Sequence, residues 1–226
     1  MTDKSNIALS VKNLKTFFYT NNRCNKAVNG VSFDVEKGKT LCIVGESGCG
    51  KSVTAATIMQ LLPTLSRIEE GEIIFNRSII KTYNNEPWKA KKNEIAIIFQ
   101  DPASYLNPSM KCGDQIIECI IGDKDKVNEA TNLLKKVVID DPMACLNKYP
   151  HELSGGQQQR VMIAMALAKK PKILIADEAT SSLDTIIKKE IINLIIKLKY
   201  ELESSLIIVT HNLNLIKSIS DRFILV

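Results

Sequence analysis

Leu41-Cys42-Ile43-Val44-Gly45-Glu46-Ser47-Gly48-Cys49-Gly50-Lys51-Ser52-Val53 is the stretch on which the reading of this chain turns. Four apolar residues follow the turn-like Glu36-Lys37-Gly38-Lys39 and read as a short buried strand. A glycine-rich loop comes next, and residues 51–62 carry helical spacing that Pro63 is expected to stop. The loop fits G-x-x-x-x-G-K-[ST]. In that pattern backbone N–H groups approach phosphate oxygens closely, which a glycine permits because no Cβ stands in the way. The positive end of the following helix adds to the attraction. Lys51 would neutralise charge on the outer phosphates and the Ser52 hydroxyl would ligate Mg²⁺.

Working outward, residues 7–11, 31–35, 72–75 and 95–99 are short β-rich runs. From Asp101 to about Leu153 the texture changes. Pro102, Pro108, Pro142 and Pro150 punctuate segments with helical periodicity, such as 125–138, and this predicts an inserted, mostly helical subdomain. Alternation then resumes: helix 156–168, strand 173–176, helix 185–202, strand 206–210, helix 213–219 and strand 223–226. Continuous apolar strands alternating with helices predict an α/β fold whose sheet is mainly parallel and covered on both faces. The expected organisation is a single domain over residues 1–226, with a core of about 1–100 and 154–226 and the helical subdomain over about 101–153.

Bulk properties narrow the class. At 226 residues the chain has enough length for a self-sufficient core. A net charge of +5 comes from scattered pairs such as Lys91-Lys92 and Lys188-Lys189, too diffuse to mark a nucleic-acid surface. The six cysteines form no C-x-x-C pair and show no zinc spacing, so reduced thiols in a cytosolic setting are expected. No stretch approaches the roughly 18 apolar residues of a membrane span. A membrane would be met through a partner.

Two further stretches carry chemistry. Ile173-Leu174-Ile175-Ala176-Asp177-Glu178 is an apolar strand ending in two carboxylates. Paired with the phosphate loop, Asp177 is placed to hold Mg²⁺ through water, and Glu178 to orient or deprotonate the attacking water. Leu153-Ser154-Gly155-Gly156-Gln157 opens a helix with a serine and two glycines. It reads either as an ordinary N-cap or as a second anion-binding helix start, and one nucleotide does not need two.

In order, the phosphate loop, Gln100 in Phe99-Gln100-Asp101-Pro102, Leu153-Ser154-Gly155-Gly156-Gln157, Asp177-Glu178 and His211 resemble the motifs of the ABC ATPases. The resemblance spans about residues 7–226. It implies a P-loop NTPase core with an N-terminal antiparallel β part and the inserted helical subdomain. It also implies ATP and Mg²⁺ as cofactors, and a head-to-tail dimer in which Ser154, Gly155, Gly156 and Gln157 face the nucleotide of the neighbour. Gln100 would sense Mg²⁺ and the attacking water, and His211 would contact the γ-phosphate. Asp184, in Ser181-Ser182-Leu183-Asp184, would lie in the loop crossing the dimer interface. Phe18 or its neighbour Tyr19 would stack on adenine. Ala179 stands where the family usually has proline, which would only stiffen the turn.

The wording of Ala27-Val28-Asn29-Gly30-Val31-Ser32-Phe33, Leu106-Asn107-Pro108 and Tyr149-Pro150-His151-Glu152-Leu153 is similar to the oligopeptide/dipeptide/nickel importer ATPases. That subfamily implies transmembrane permease subunits, a second ABC ATPase subunit (heterodimer favoured, homodimer possible) and, indirectly, a solute-binding protein. It places the chain peripherally at the cytoplasmic face of the cell membrane, with no nucleic acid expected. Two other classes compete. A soluble ABC ATPase acting on nucleic acid or ribosomes would bring coiled coils, zinc modules or fused domains, and none is legible here. A non-hydrolysing regulatory subunit would replace Glu178 or His211, and both are present.

Overall fold

A computed structural model describes residues 6–20, 23–82, 93–122, 125–179, 185–212 and 219–226. Two sheets organise it. The first is antiparallel, in the order β2 (Arg23–Glu36), β1 (Ile7–Thr20), β4 (Ser66–Phe75), β5 (Ser78–Thr82). The second is parallel throughout, in the order β6 (Ile95–Ile98), β7 (Ile173–Asp177), β8 (Ser205–Thr210), β3 (Thr40–Val44), β9 (Arg222–Leu225). This is the expected α/β architecture with an antiparallel N-terminal part.

Side-chain alternation along the parallel strands sorts them between two cores. Leu41, Ile43, Ile173, Ile175, Ile207 and Val209 face one way, towards Leu9, Val11, Ile73 and Phe75 of the antiparallel sheet and Ala55 and Ile58 of α1 (Lys51–Met59). Cys42, Val44, Leu174, Ala176, Leu206 and Ile208 face the other way. There they meet α6 (Gly155–Ala168) through Val161 and Ile163, and α7 (Thr185–Glu201) through Ile191 and Ile195. Strands buried on both faces need apolar residues at every position, which is why they read as unbroken runs.

Between β6 and β7 in the chain come α2 (Pro102–Tyr105), α3 (Cys112–Cys119), α4 (Lys126–Lys136) and α5 (Pro142–Asn147). The punctuating residues now have reasons. Asp101, Asp125 and Asp141 are N-caps whose carboxylates accept the N–H groups of Ala103, Asn128 and Ala144 at 3.1, 3.2 and 2.9 Å. Pro102 and Pro142 stand at the first helical positions, where a missing N–H costs nothing. Ile116 and Leu134 share the core of α6 and the sheet, so these helices are anchored to it.

Several boundaries differ from expectation. Helix α1 ends at Met59, before Pro63, because Gln60 adopts the left-handed conformation (φ 56°) and its N–H turns back to Ala56 and Thr57. Strands β1 and β2 run 14 residues each, far beyond 7–11 and 31–35. Register shifts around Asn13 (φ 44°) break the alternation, and residues 23–26 of β2 are exposed, so pairing rather than burial defines them. Strand β5 was not expected. It pairs with β4 across a two-residue turn, Asn76-Arg77, with φ of 47° and 67°. That is the left-handed pair a tight hairpin demands, with arginine where glycine is usual. The expected helix 213–219 falls mostly outside the described residues, as does Asp184.

Candidate functional site

Strand β3 delivers the chain into the loop 45–50, and α1 leaves it. Gly50 has φ 100°, and a Cβ there would overlap the carbonyl of Ala27. A Cβ on Gly45 would overlap the carbonyl of Val226 and crowd Cys49 Sγ. Val226 is held in place by its N–H, which donates to Val44 O at 2.8 Å. The loop is thus wedged between β2 and the end of β9. Only positions without side chains fit its two ends.

Lys51 is 4% exposed, and its ammonium donates to Gly45 O at 3.0 Å and Glu46 O at 2.6 Å, with Cys49 Sγ at 3.6 Å. The charge is centred in the loop. Ser47, Gly48, Cys49, Gly50, Ser52 and Val53 line a cleft of about 560 Å³ with it. Across the cleft stand Gln100 and Glu178, from the ends of β6 and β7. Residues some 125 positions apart in the chain therefore converge, as the motif order requires.

Ser52 Oγ donates to Asp177 Oδ1 at 2.9 Å. Burial raises the Asp177 carboxyl above the ordinary range, while this hydrogen bond and Lys51 oppose the shift. A hydroxyl and a carboxylate side by side are hard oxygen donors of the kind Mg²⁺ takes. Among the described residues no group of three or more His, Cys, Asp or Glu forms a metal cage. A cation brought with phosphate oxygens fits this pair better than one caged by protein alone.

Glu178 has φ 45°, unusual for a residue with a side chain, and its N–H donates to Val209 O at 3.0 Å. Its Oε1 lies 3.3 Å from His211 Nδ1, at the end of β8. The parallel pairing of β7 with β8 sets those two ends side by side.

The aromatic pair separates cleanly. Phe18 lines the cleft, half-buried. Tyr19 points to the other face of β1, where its hydroxyl donates to Glu69 Oε1 at 2.7 Å and the Arg67 guanidinium lies 5.7 Å from its ring centre. The bond to Glu69 pushes the Tyr19 hydroxyl up to about 12. Sequence reading missed Asn25 and Lys26, which line the cleft beside Phe18. They sit in an exposed part of β2 that no apolar pattern marks.

Ser154, Gly155, Gly156 and Gln157 do not line this cleft. They open α6 with a reciprocal capping box: Ser154 Oγ accepts from Gln157 N at 3.3 Å, and Gln157 Oε1 accepts from Ser154 N at 3.0 Å. The N-cap reading is therefore right as far as it goes. It leaves the glycines unexplained. Among the described residues a Cβ on Gly155 would meet nothing within 4 Å, and one on Gly156 would meet only Ile187 at 3.6 Å, ordinary contact.

A phosphate loop between a parallel strand and its helix, facing carboxylates at the end of the next strand but one, defines a P-loop nucleotide-binding protein. The comparisons sharpen this. The model of the ABC transporter family matches residues 28–181. The dipeptide transport ATP-binding protein DppD of Bacillus subtilis is 42% identical over 221 residues, 95% of this chain and 66% of that protein. The oligopeptide transport ATP-binding protein OppD of Escherichia coli is 40% identical over 219 residues, 95% of this chain and 65% of that protein. Among solved structures, cbiO1 of Clostridium perfringens, part of the ABC transporter complex cbiONQ, superposes with a TM-score of 0.78 at 28% identity. It covers 97% of this chain and 84% of its own. The ATP-binding cassette MJ0796, a dimer bound to ADP and Pi, gives 0.79 at 26% identity, with 96% and 94% covered. The chain belongs to the ABC transporter family. It spans about two thirds of the length of the curated relatives it matches.

Proposed function

We propose that this chain is the ATP-hydrolysing motor subunit of an ABC importer of peptides, working at the cytoplasmic face of a membrane. Support for the peptide class comes from relatives named for dipeptide and oligopeptide transport. Among the described residues no helix is long and apolar enough to cross a membrane, so force would reach the membrane through permease subunits.

In this reading the backbone N–H groups of residues 45–51 and the Lys51 ammonium hold the phosphates, and the Phe18 ring takes the adenine. Ser52 and Asp177 hold Mg²⁺, which supplies charge neutralisation on the phosphate oxygens. Glu178, aimed into the cleft by its left-handed backbone, orients the attacking water and accepts its proton. His211 lies against that carboxylate and fixes its direction; Gln100 closes the far side. A groove of about 690 Å³ runs from this cleft between the core and the helices, lined by Met59, Leu61, Tyr105, Met162 and Met165. Leu61 and Tyr105 are 52% and 56% exposed, an apolar surface suited to a permease loop. Residues 101–153 would act as the arm that such a loop moves with.

The observation that carries the motor reading is the open space over Gly155. Nothing among the described residues requires glycine there, whereas a phosphate arriving from outside would meet bare N–H groups at the start of a 14-residue helix. The second ATPase subunit would bring that nucleotide, and the subfamily resemblance favours a homologous partner over an identical one. The test uses Glu178→Gln, in which hydrolysis should fall about 10²-fold or more. Sedimentation with MgATP, alone and with the partner ATPase, should show a dimer. Adding Gly155→Asp should abolish it and leave ATP affinity of the monomer intact. Equal dimer formation with and without Gly155→Asp would sink the reading.

A further inference from the structure

Gln159 lies on the second turn of α6, fully buried and outside the lining of the phosphate-loop cleft. Its Nε2 donates to Phe99 O at 3.4 Å, a long bond. Its Oε1 is the one buried side-chain oxygen or nitrogen among the described residues that has no hydrogen-bond partner. Such an orphan acceptor is costly, and methionine would fill the same space without it. Stability therefore does not explain a glutamine here.

Its neighbour offers a reason. The carbonyl that Gln159 holds belongs to the same rigid peptide unit as the Gln100 N–H. Phe99 is half-buried at the end of β6, its ring stacked on Tyr105 of α2 at 3.6 Å between centroids. This peptide is thus the joint where the parallel sheet hands over to the helical segment. Gln159 is four residues past Gly155, roughly 6 Å along the same helix. One buried carboxamide consequently links the peptide that carries Gln100 to the helix that presents Ser154 and Gly155.

We infer that Gln159 is a positioning residue that couples the Phe99–Gln100 peptide to the exposed start of α6. A carboxamide suits a two-position joint. Its N–H holds the Phe99 carbonyl in the arrangement seen here, and its free Oε1 is the acceptor for the Gln100 N–H once that peptide turns. Nucleotide state at Gln100 and the placement of Ser154 and Gly155 then change together. The inference rests on the ATPase reading above, and its experiment separates the two.

Gln159→Met keeps the volume and removes both polar ends. In the transporter assembled with its permease and partner subunits, MgATP hydrolysis by wild type first establishes the ATPase itself; no hydrolysis there would fail that reading, not this one. The variant should then keep its thermal midpoint or gain slightly, and keep KM for ATP within twofold. Its kcat should fall roughly five- to tenfold. A kcat within twofold of wild type overturns the inference, as does a parallel loss of midpoint, KM and kcat, which marks a merely structural glutamine. A measurement on the unmodified protein guards against a variant that does not fold. Amide exchange at Gln100 and at residues 157–159 should change together when MgATP is added, and a change at one without the other also overturns it.

Discussion

The two glycine-rich helix starts of this molecule look alike in sequence and are opposite in construction. At the phosphate loop, the glycines answer to the chain itself: Gly50 is packed against Ala27 O and Gly45 against Val226 O, and Lys51 is buried at the centre. At the start of α6, Ser154 and Gln157 satisfy each other, while Gly155 meets none of the described residues. The first loop is packed by its own chain. The second is a finished helix cap whose glycines no described residue requires, and in the proposed reading a nucleotide brought by a partner gives them their purpose.

The largest expected effect lies at the first loop. Lys51→Ala removes a charge-assisted contact to phosphate. ATP affinity should fall roughly 10- to 100-fold, measured by equilibrium titration at protein concentrations where no dimer forms. Unchanged affinity would contradict a direct contact of Lys51 with phosphate, and the contrast would collapse.

The contrast itself is sharpened by one substitution at each site. Gly50→Ala forces a side chain into a left-handed backbone against the Ala27 carbonyl, a strain of about 2–4 kcal/mol. Its midpoint should drop roughly 5–15 °C for a chain of this size. Gly155→Ala should leave the midpoint within about 1 °C, since its methyl group enters open space. It should nonetheless slow hydrolysis in the assembled transporter. Equal thermal losses in the two variants would show that both glycines are structural.

A small thermal shift is expected at Asp177. Its carboxyl is raised mainly by burial, so ionisation costs the folded state stability; the cost is present above the raised value and fades as pH falls through it. Asp177→Asn keeps an acceptor for Ser52 and removes the charge. At neutral pH its midpoint should rise by about 2 °C, the gain shrinking on acidification, while Mg²⁺-dependent hydrolysis is lost. A lower midpoint would mean that the charge stabilises the fold.

Much of this molecule was legible before the structure. Strands buried on both faces must be apolar throughout, so β3, β7 and β8 read true to within a residue or so. The helix cap Ser154 was legible because capping is chemistry between residues three apart. What stayed hidden depends on partners far away in the chain. The first half of β2 has no apolar pattern because its pairing with β1, not burial, holds it. The end of α1 at Gln60 came from a left-handed cap that no glycine announced.

The same division runs through the site. A motif such as 45–52 names the atoms that will meet phosphate because backbone N–H groups, a lysine and a hydroxyl do so wherever a strand feeds a helix. Local sequence determined that much, and with it the family. It could not choose between Phe18 and Tyr19, since adjacent residues of a strand face opposite ways and only the sheet's packing says which face meets the cleft. Nor could it bring Glu178 to His211 or Gln159 to Phe99. Those contacts exist because β7 lies beside β8 and α6 crosses the end of β6, and strand order is settled by packing across the whole chain rather than by any one stretch of it.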